Sequence, residues 1–367
     1  MDITAAAAAS SSRNNHTFYV LDSLRGIAAL SIAFLHLGTG IFNGCYLAVD
    51  FFFVLSGFIL AYSYHDETRL TRTPVEFVIN RIARLYPLHI VTFILFAMIF
   101  YIDRGMFPHY GTDQLFSIFQ QITMTHNVGF YPAGGTWNHP SWSISVEFWV
   151  GIIFIGFIRP TTSSFKLILT SLAIMVFLGG YLDNLDVSHQ NFYAFINSGI
   201  LRCLASFLAG ILAFRSWRIM RKFELSFLVW SAIELATLFL VYLLMFVREA
   251  YHSEIDFFAP ATFYVAVLVF SRENGILSKI LFNFRYLGKI SYSIYLNHLP
   301  VMIFVRYLDN RHGWFSNSVP IIFFFSLLGF SALTYHLIEI PSKKLLQNIL
   351  IRLTSAAQHN QAKTGTI

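Results

Sequence analysis

Two side chains in the first long apolar segment have the types and spacing to serve one reaction. Arg25 and His36 lie eleven residues apart in LDSLRGIAALSIAFLHLG. In an α-helix this separation is roughly 16 Å of rise and about 20° beyond three full turns, so both side chains share one face. A guanidinium binds phosphate, and an imidazole is a common general base. Taken singly, each residue could also do no more than reach the headgroups at its own end of the helix.

Two carboxylates fall at about the predicted depth of His36 in other apolar segments. Asp50 lies early in AVDFFFVLSGF, and Glu147 lies in SWSISVEFWV. Ionisable groups inside a bilayer are costly and by default mark a functional path. We therefore predict that Glu147 or Asp50 orients the His36 ring, as a carboxylate does in a hydrolase triad. The alternative is that each carboxylate is interfacial or is the partner of an isolated arginine.

A pair of arginines precedes the third apolar segment. Arg81 and Arg84 are three residues apart in NRIARLYP, on one face of a short helix that Pro87 bends or restarts. Two neighbouring guanidinium groups suit phosphate. The alternative is that they only fix the orientation of the chain in the membrane.

Four more polar residues in or beside apolar segments are candidates for binding substrate: Arg202, Asn138, Ser143 and His298. Arg202 lies at a depth similar to that of the carboxylates. His298 lies in the middle of GKISYSIYLNHLP, where the alternative is a hydrogen bond that serves packing alone.

The composition is that of a membrane protein. Hydrophobic residues make up 56% of the 367 residues and charged residues 12%, against roughly 25% charged in soluble domains. The net charge of +6 therefore indicates membrane topology rather than nucleic-acid binding. Two cysteines are too few for a disulfide framework or a four-cysteine zinc site, and we predict no metal.

Ten segments approach the 20 or so apolar residues that cross a bilayer. We predict an all-α polytopic helix bundle of about ten transmembrane helices in residues 21–340, with a mobile cytosolic tail at 1–20 and a cytosolic C-terminal tail at 341–367. The segments are 21–37, 46–64, 86–102, 142–158, 167–182, 196–214, 226–247, 257–270, 290–307 and 319–338.

The basic residues set the predicted orientation. Most of the 25 Lys and Arg residues fall in alternate loops, which predicts that both termini lie on the cytosolic side of the membrane. The longest outer loop contains LFSIFQQITM, which is too short to cross and lies in the interface or re-enters.

The chain resembles the acyltransferase-3 family of integral membrane acyltransferases. The matching strings are LDSLRGIAALSIAFLH, VDFFFVLSGFIL, INRIARLYP, NHPSWSISVEFW, LGKISYSIYLNHLP and YHLIEIP. By this resemblance Arg25 and His36 are the family's Arg-x10-His pair, and Glu147 is the glutamate of its SWS-type motif. Arg81 and Arg84 are its cytosolic arginine cluster, although Asn80 stands where members often carry an arginine. The chain is similar to the stand-alone form of the family, which includes rhizobial nodulation O-acetyltransferases.

The resemblance implies transfer of an acyl group, most commonly acetyl, from cytosolic acyl-CoA to a sugar hydroxyl. The acceptor would be a surface polysaccharide, a lipopolysaccharide or a Nod-factor lipo-oligosaccharide. We expect Arg81, Arg84 and Arg25 to bind the donor phosphates and His36 to act as base, directly or through an acyl-histidine. Two other classes remain open, a transporter or flippase of a glycolipid or oligosaccharide and a membrane scaffold or sensor.

Overall fold

The computed structural model describes residues 16–64, 74–110, 113–129, 136–186, 190–193, 196–247, 254–346 and 348–349. Residues 1–15 and 350–367 of the two predicted tails lie outside this part of the chain. The helices are α1 (Tyr19–His36), α2 (Ala48–Tyr64), α3 (Pro74–Arg104), α4 (Gln114–Thr123), α5 (Trp142–Phe157), α6 (Ser164–Gly179), α7 (Ser198–Met220), α8 (Phe227–Phe246), α9 (Ala259–Phe270), α10 (Ile276–Leu281), α11 (Arg285–Lys289), α12 (Ser291–His312) and α13 (Val319–Thr334). One short antiparallel pair, β1 (Asn191–Tyr193) and β2 (Ile196–Asn197), precedes α7.

A helix occupies each of the ten segments predicted to cross the membrane. Among the described residues, six helices are long and apolar enough to do so: α1, α2, α3, α7, α8 and α13, some with a flanking turn. The others are short, as in α5, α6 and α9, or polar, as in α12. The chain is therefore a helical membrane protein, and a total of ten crossings stays a prediction.

The predicted restart at Pro87 is not observed, because α3 runs as one helix of 31 residues through this proline. Proline removes one backbone donor and frees a carbonyl one turn earlier. Helices in membranes tolerate this where neighbouring side chains bond the backbone. Beside the proline, Tyr292 of α12 donates its hydroxyl to the carbonyl of Leu85 at 2.5 Å, which joins α12 to α3.

The bundle has an apolar outer surface and two central helices. Val176 on α6, Leu228 on α8 and Phe325 on α13 are exposed by 76%, 77% and 66%, as expected for side chains that face hydrocarbon. Helices α2 and α7 are the most buried of the six long ones. They form the core against which the other helices pack.

Two glycines allow α2 and α7 to touch backbone to backbone. A Cβ atom on Gly57 of α2 would lie 2.1 Å from the carbonyl oxygen of Phe207. One on Gly210 of α7 would lie 2.0 Å from that of Val54. Such close packing through small residues is typical of membrane helices.

Helix α4 exposes its apolar face and buries its polar face, the reverse of a surface helix in a soluble protein. Leu115 and Phe119 are exposed by 82% and 56%, whereas Gln120 and Gln121 are buried. With ten residues α4 is too short to cross. Its apolar face suits the membrane interface, and its polar face covers the interior of the bundle.

Candidate active site

A narrow cavity lies among α1, α2, α3, α5 and α12, and five of the predicted site residues line it: Arg25, Arg81, Arg84, Ser143 and Glu147. The remaining lining includes Ser56, Ser291, Tyr292 and Tyr295. Its volume of about 100 Å³ is below the 300–1,000 Å³ of pockets for drug-sized ligands. As it stands, only a slender group can enter.

Arg25 points from α1 toward α12 and not toward lipid. Its Nε donates to the Oγ of Ser291, and a terminal nitrogen donates to the carbonyl of Gly288, both at 2.8 Å. Asp22 lies 3.2 Å from the same nitrogen. These contacts fix the guanidinium at the cavity with donors left over.

Arg81 and Glu147 form an ion pair between α3 and α5. A terminal nitrogen of Arg81 lies 3.1 Å from the Glu147 carboxylate and 2.8 Å from its backbone carbonyl. Ser56 of α2 donates to the same carboxylate at 2.6 Å. Glu147 is therefore bonded to an arginine, as the alternative reading of the sequence had it, and is not observed to contact His36.

Gly151 makes room for this ion pair. A Cβ atom at this position, one turn after Glu147 on α5, would lie 2.9 Å from the Cζ of Arg81. Arg84, by contrast, is exposed at the cavity and has no hydrogen bond to any described residue. Arg84 is the arginine of the three with all its donors available.

His36 lies at the other end of α1, with Nδ1 2.9 Å from the carbonyl oxygen of Ile32. Because a carbonyl only accepts, we assign the proton to Nδ1, which leaves the lone pair on Nε2. His298 of α12 has the same arrangement, with Nδ1 2.6 Å from the carbonyl of Tyr295 and a buried Nε2 that has no partner. The two ring centroids are 4.8 Å apart, and that of His139 lies 6.4 Å from His36.

Asp50, the other carboxylate proposed to orient His36, is bonded to Arg202. Asp50 accepts from Arg202 at 2.6 Å, and Ser206 donates to its other oxygen at 2.7 Å. Arg202 also donates to the carbonyls of Leu185 and Tyr46. Both ions are buried and fully engaged, so Asp50 and Arg202 join α2 to α7 and lie outside the cavity lining.

The remaining predicted residues lie near the cavity or near the histidines. The hydroxyl of Ser143 is 2.8 Å from that of Tyr295, which links α5 to α12. Asn138 donates to the carbonyl of Leu296, two residues before His298. These contacts place Ser143 on the arginine side and Asn138 on the histidine side.

A second histidine pair joins the loop before α5 to α3. The rings of His126 and His89 stack with centroids 5.6 Å apart, and the Oγ of Ser141 is 3.1 Å from Nε2 of His126. Burial, aided by the neighbouring His89, lowers the pKa of His126 to about 3. His126 is therefore neutral at physiological pH.

Four hydroxyl-bearing residues that complete the cavity were not predicted from the sequence, namely Ser56, Ser291, Tyr292 and Tyr295. Each is a hydroxyl within an otherwise apolar segment. Hydroxyls are common in membrane helices, so only their contacts with Glu147, Arg25, Leu85 and Ser143 distinguish them.

Comparison with known proteins places these residues in one family. The family model of acyltransferase-3, described as an acyltransferase domain, matches residues 18–336. A protein of Staphylococcus aureus strain COL, provisionally named as an O-acetyltransferase, is 24% identical over 88% of this chain and 57% of its own length. The provisionally named peptidoglycan O-acetyltransferase YrhL of Bacillus subtilis strain 168 is 25% identical over 90% of this chain and 56% of its own.

A third relative matches more closely over a shorter stretch. Protein 2 in the picA locus of Rhizobium radiobacter is 45% identical over 89 residues, which is 23% of this chain and 46% of that protein. The chain thus spans only about half the length of these relatives, and no solved structure matches it. The family match covers every residue that lines the cavity, together with His36 and His298, and so the chain belongs to the acyltransferase-3 family.

Proposed function

We propose that this protein is an O-acyltransferase that moves an acyl group, in the simplest case acetyl, from acyl-CoA to a hydroxyl group of a surface glycan. One observation carries the proposal. Helix α1 holds Arg25 at one end, in a cavity lined by arginines, and holds His36, whose Nε2 is free, at its other end. Both side chains lie against α12. The names of the two relatives that match most of this chain support O-acetyl transfer.

Arg84 and Arg25 would bind the phosphates of acyl-CoA. Arg84 has all of its donors available, and Arg25 keeps some after bonding Ser291 and Gly288. Arg81 is committed to Glu147. Its charge adds to the attraction for phosphate, but its main role would be to position α3 against α5.

The thioester would reach His36 through an extended arm. The two ends of α1 are separated by roughly 16 Å of helix rise between Arg25 and His36. Acyl-CoA has a long, thin pantetheine arm between its phosphates and its sulfur, and the narrow cavity suits such an arm. The acyl group would then be presented beside the imidazoles of His36 and His298.

His36 would act as the general base. The acceptor hydroxyl oxygen attacks the thioester carbon while its proton moves to Nε2 of His36. The carbon–sulfur bond then breaks, an ester forms, and the CoA thiolate takes the proton back from His36. Attack by Nε2 itself, which gives an acyl-histidine before transfer, uses the same atom.

The acceptor would bind at the histidine end of the bundle. Nε2 of His298 can accept a hydrogen bond from a sugar hydroxyl, and Asn138, which bonds the carbonyl of Leu296, lies on the same side. Ser143, bonded to Tyr295, lies at the arginine-lined cavity. In the proposed orientation the protein lies in a bacterial inner membrane, with both termini and the arginine end on the cytosolic side. The glycan, whether a cell-wall polysaccharide, a lipopolysaccharide or a Nod-factor oligosaccharide, arrives from outside.

The test supplies the donor on one side only. Inverted membrane vesicles from cells with and without the protein receive acetyl-CoA labelled in the acetyl group, and label on lumenal glycan is measured. We expect label in the glycan only with the protein present. Movement of unlabelled glycan across the membrane without acetylation would instead indicate the transporter or flippase.

A further inference from the structure

A second and larger cavity lies between α6, α7 and α9, with a volume of about 760 Å³. It shares no lining residue with the narrow cavity that contains Arg25, Arg84 and Glu147, which we call the reaction cavity. Gly179 of α6, Ala209 of α7 and Ala261 of α9 provide its depth because their side chains are absent or small. The rest of its walls are mainly apolar, and we call it the lateral groove.

The lateral groove opens toward the hydrocarbon of the membrane. Ile168, Leu172 and Val176, successive turns of α6 along its rim, are exposed by 44%, 57% and 76%. Lining residues run from Ser164 to Gly179, the first and last residues of α6, which is about 24 Å of helix. An occupant that enters from hydrocarbon and fills so long an apolar groove is a lipid chain.

The two ends of the lateral groove differ in charge. Arg215 lines one end, where Arg218, Arg221 and Lys222 follow on and after α7. Glu254 lines the opposite end. An anionic headgroup is therefore favoured beside Arg215 and disfavoured at the other end.

Arg215 is held in place with donors to spare. It donates to the Oγ of Ser164 at 2.8 Å and to the carbonyl of Pro160 at 3.1 Å. These two bonds leave three of its five N–H donors for a ligand. Beside it, the hydroxyls of Ser216 and Tyr264 are 2.7 Å apart and bridge α7 to α9.

We propose that the lateral groove binds one anionic phospholipid, with the phosphate at Arg215 and an acyl chain along α6 toward Phe257. A lipid such as phosphatidylglycerol has no cation in its headgroup. Phosphatidylcholine would place its choline near Arg215 and Arg218, which interact electrostatically, and like charges would repel. The groove thus selects by charge at one end and holds the chain by apolar contact along its length.

The test uses the full-length purified protein and native mass spectrometry after incubation with equal amounts of phosphatidylglycerol and phosphatidylcholine in detergent. The wild type should retain phosphatidylglycerol at least about fivefold over phosphatidylcholine, the ratio expected for one cation beside an anionic headgroup. Arg215→Gln should abolish this preference and Arg215→Lys should keep part of it. Arg285→Gln, which removes an exposed arginine outside the groove, should change nothing.

A second variant separates the groove from the surrounding basic surface. Ala261→Phe fills the groove from an exposed position, so folding should be preserved, and retained lipid should fall severalfold. Equal retention of the two lipids by the wild type would overturn the proposal. So would a preference that survives Arg215→Gln, or retention of lipid that is unchanged in Ala261→Phe. Neither result bears on acyl transfer.

Discussion

At the scale of single residues, the three arginines of the reaction cavity differ in how many donors remain available. Arg81 bonds Glu147, and Arg25 bonds Ser291 and Gly288. Arg84 bonds no described residue and lies exposed at the cavity. The energetic contribution of Arg84 to donor binding should therefore be the largest of the three.

Arg84→Gln should raise the KM for acetyl-CoA by about 10-fold to 100-fold, because hydrogen bonds to a charged group contribute about 1.5–3 kcal/mol. The turnover number should change much less, since Arg84 lies far from His36. Steady-state kinetics on membrane vesicles measure both. Arg285→Gln, an exposed arginine on α11, is the matched control, and an equal effect in both variants would exclude a specific role for Arg84.

Gly151→Ala should lower activity, because the new Cβ would lie 2.9 Å from the Cζ of Arg81 and displace its ion pair with Glu147. Gly156→Ala on the same helix is the control, since a Cβ there has no atom within 4 Å. We expect at least a severalfold loss of acetyl transfer in the first variant and none in the second. Equal activities at equal membrane abundance would show that the position of Arg81 does not matter.

The sequence predicted which polar residues line the cavity, but it did not predict which side chains they bond. Arg25, Arg81, Arg84 and Glu147 were identified by type and spacing, and they line one cavity. Pairing of each carboxylate with an arginine was an alternative in the sequence, but the specific bond between Asp50 and Arg202 was not predicted, since it depends on the rotation of α2 and α7. Both helices are apolar on nearly all sides, so their sequences carry no clear signal for the face that each presents.

At the scale of elements, the close contact of α2 and α7 holds the centre of the bundle. Gly210→Ala should lower the melting temperature of the purified protein by several degrees, because the added Cβ would lie 2.0 Å from the carbonyl oxygen of Val54. Gly329→Ala on α13 adds the same methyl group with no atom within 4 Å. If both variants melt alike, the backbone contact is not as close as described.

The loop before α5 should make stability depend on pH. His126 is neutral when folded, with a pKa of about 3, whereas an unfolded histidine has a pKa of about 6.5. Below pH 6.5 the unfolded state therefore binds a proton that the folded state does not, and stability falls as the pH drops. At pH 5 the cost is about 2 kcal/mol.

Thermal unfolding at pH 7.5 and pH 5 tests this in detergent. The drop in melting temperature should be smaller in His126→Gln than in the wild type. His312→Gln, which changes an exposed histidine, should behave like the wild type. An unchanged drop in His126→Gln would assign the acid sensitivity to other groups.

At the scale of elements, helices could be predicted from the sequence where apolar runs are long, but the effect of a proline within a helix could not. All ten predicted segments contain helices. The restart that was one of the two outcomes predicted at Pro87 is not observed, since α3 continues through this proline, where Tyr292 of α12 bonds its backbone. Whether the four shorter or more polar helices cross the membrane depends on their packing against neighbours, which local composition does not specify.

At the scale of the whole molecule, the arginine end and the histidine end of α1 have separate proposed roles. Arginines line the reaction cavity at one end of α1. At the other end of α1 lies His36, beside His298 of α12, and each imidazole has a free Nε2. A donor that enters at the first end and an acceptor that enters at the second would meet beside His36. The central claim is therefore that His36 does the chemistry.

The most direct measurement is acetylation of surface glycan, by mass spectrometry, in a deletion strain that carries the wild type, His36→Ala or His312→Ala at equal membrane abundance. We predict that His36→Ala lowers acetylation by at least about 100-fold, the contribution of a general base. His312→Ala, at an exposed position, should match the wild type. Undiminished acetylation in His36→Ala would contradict the account.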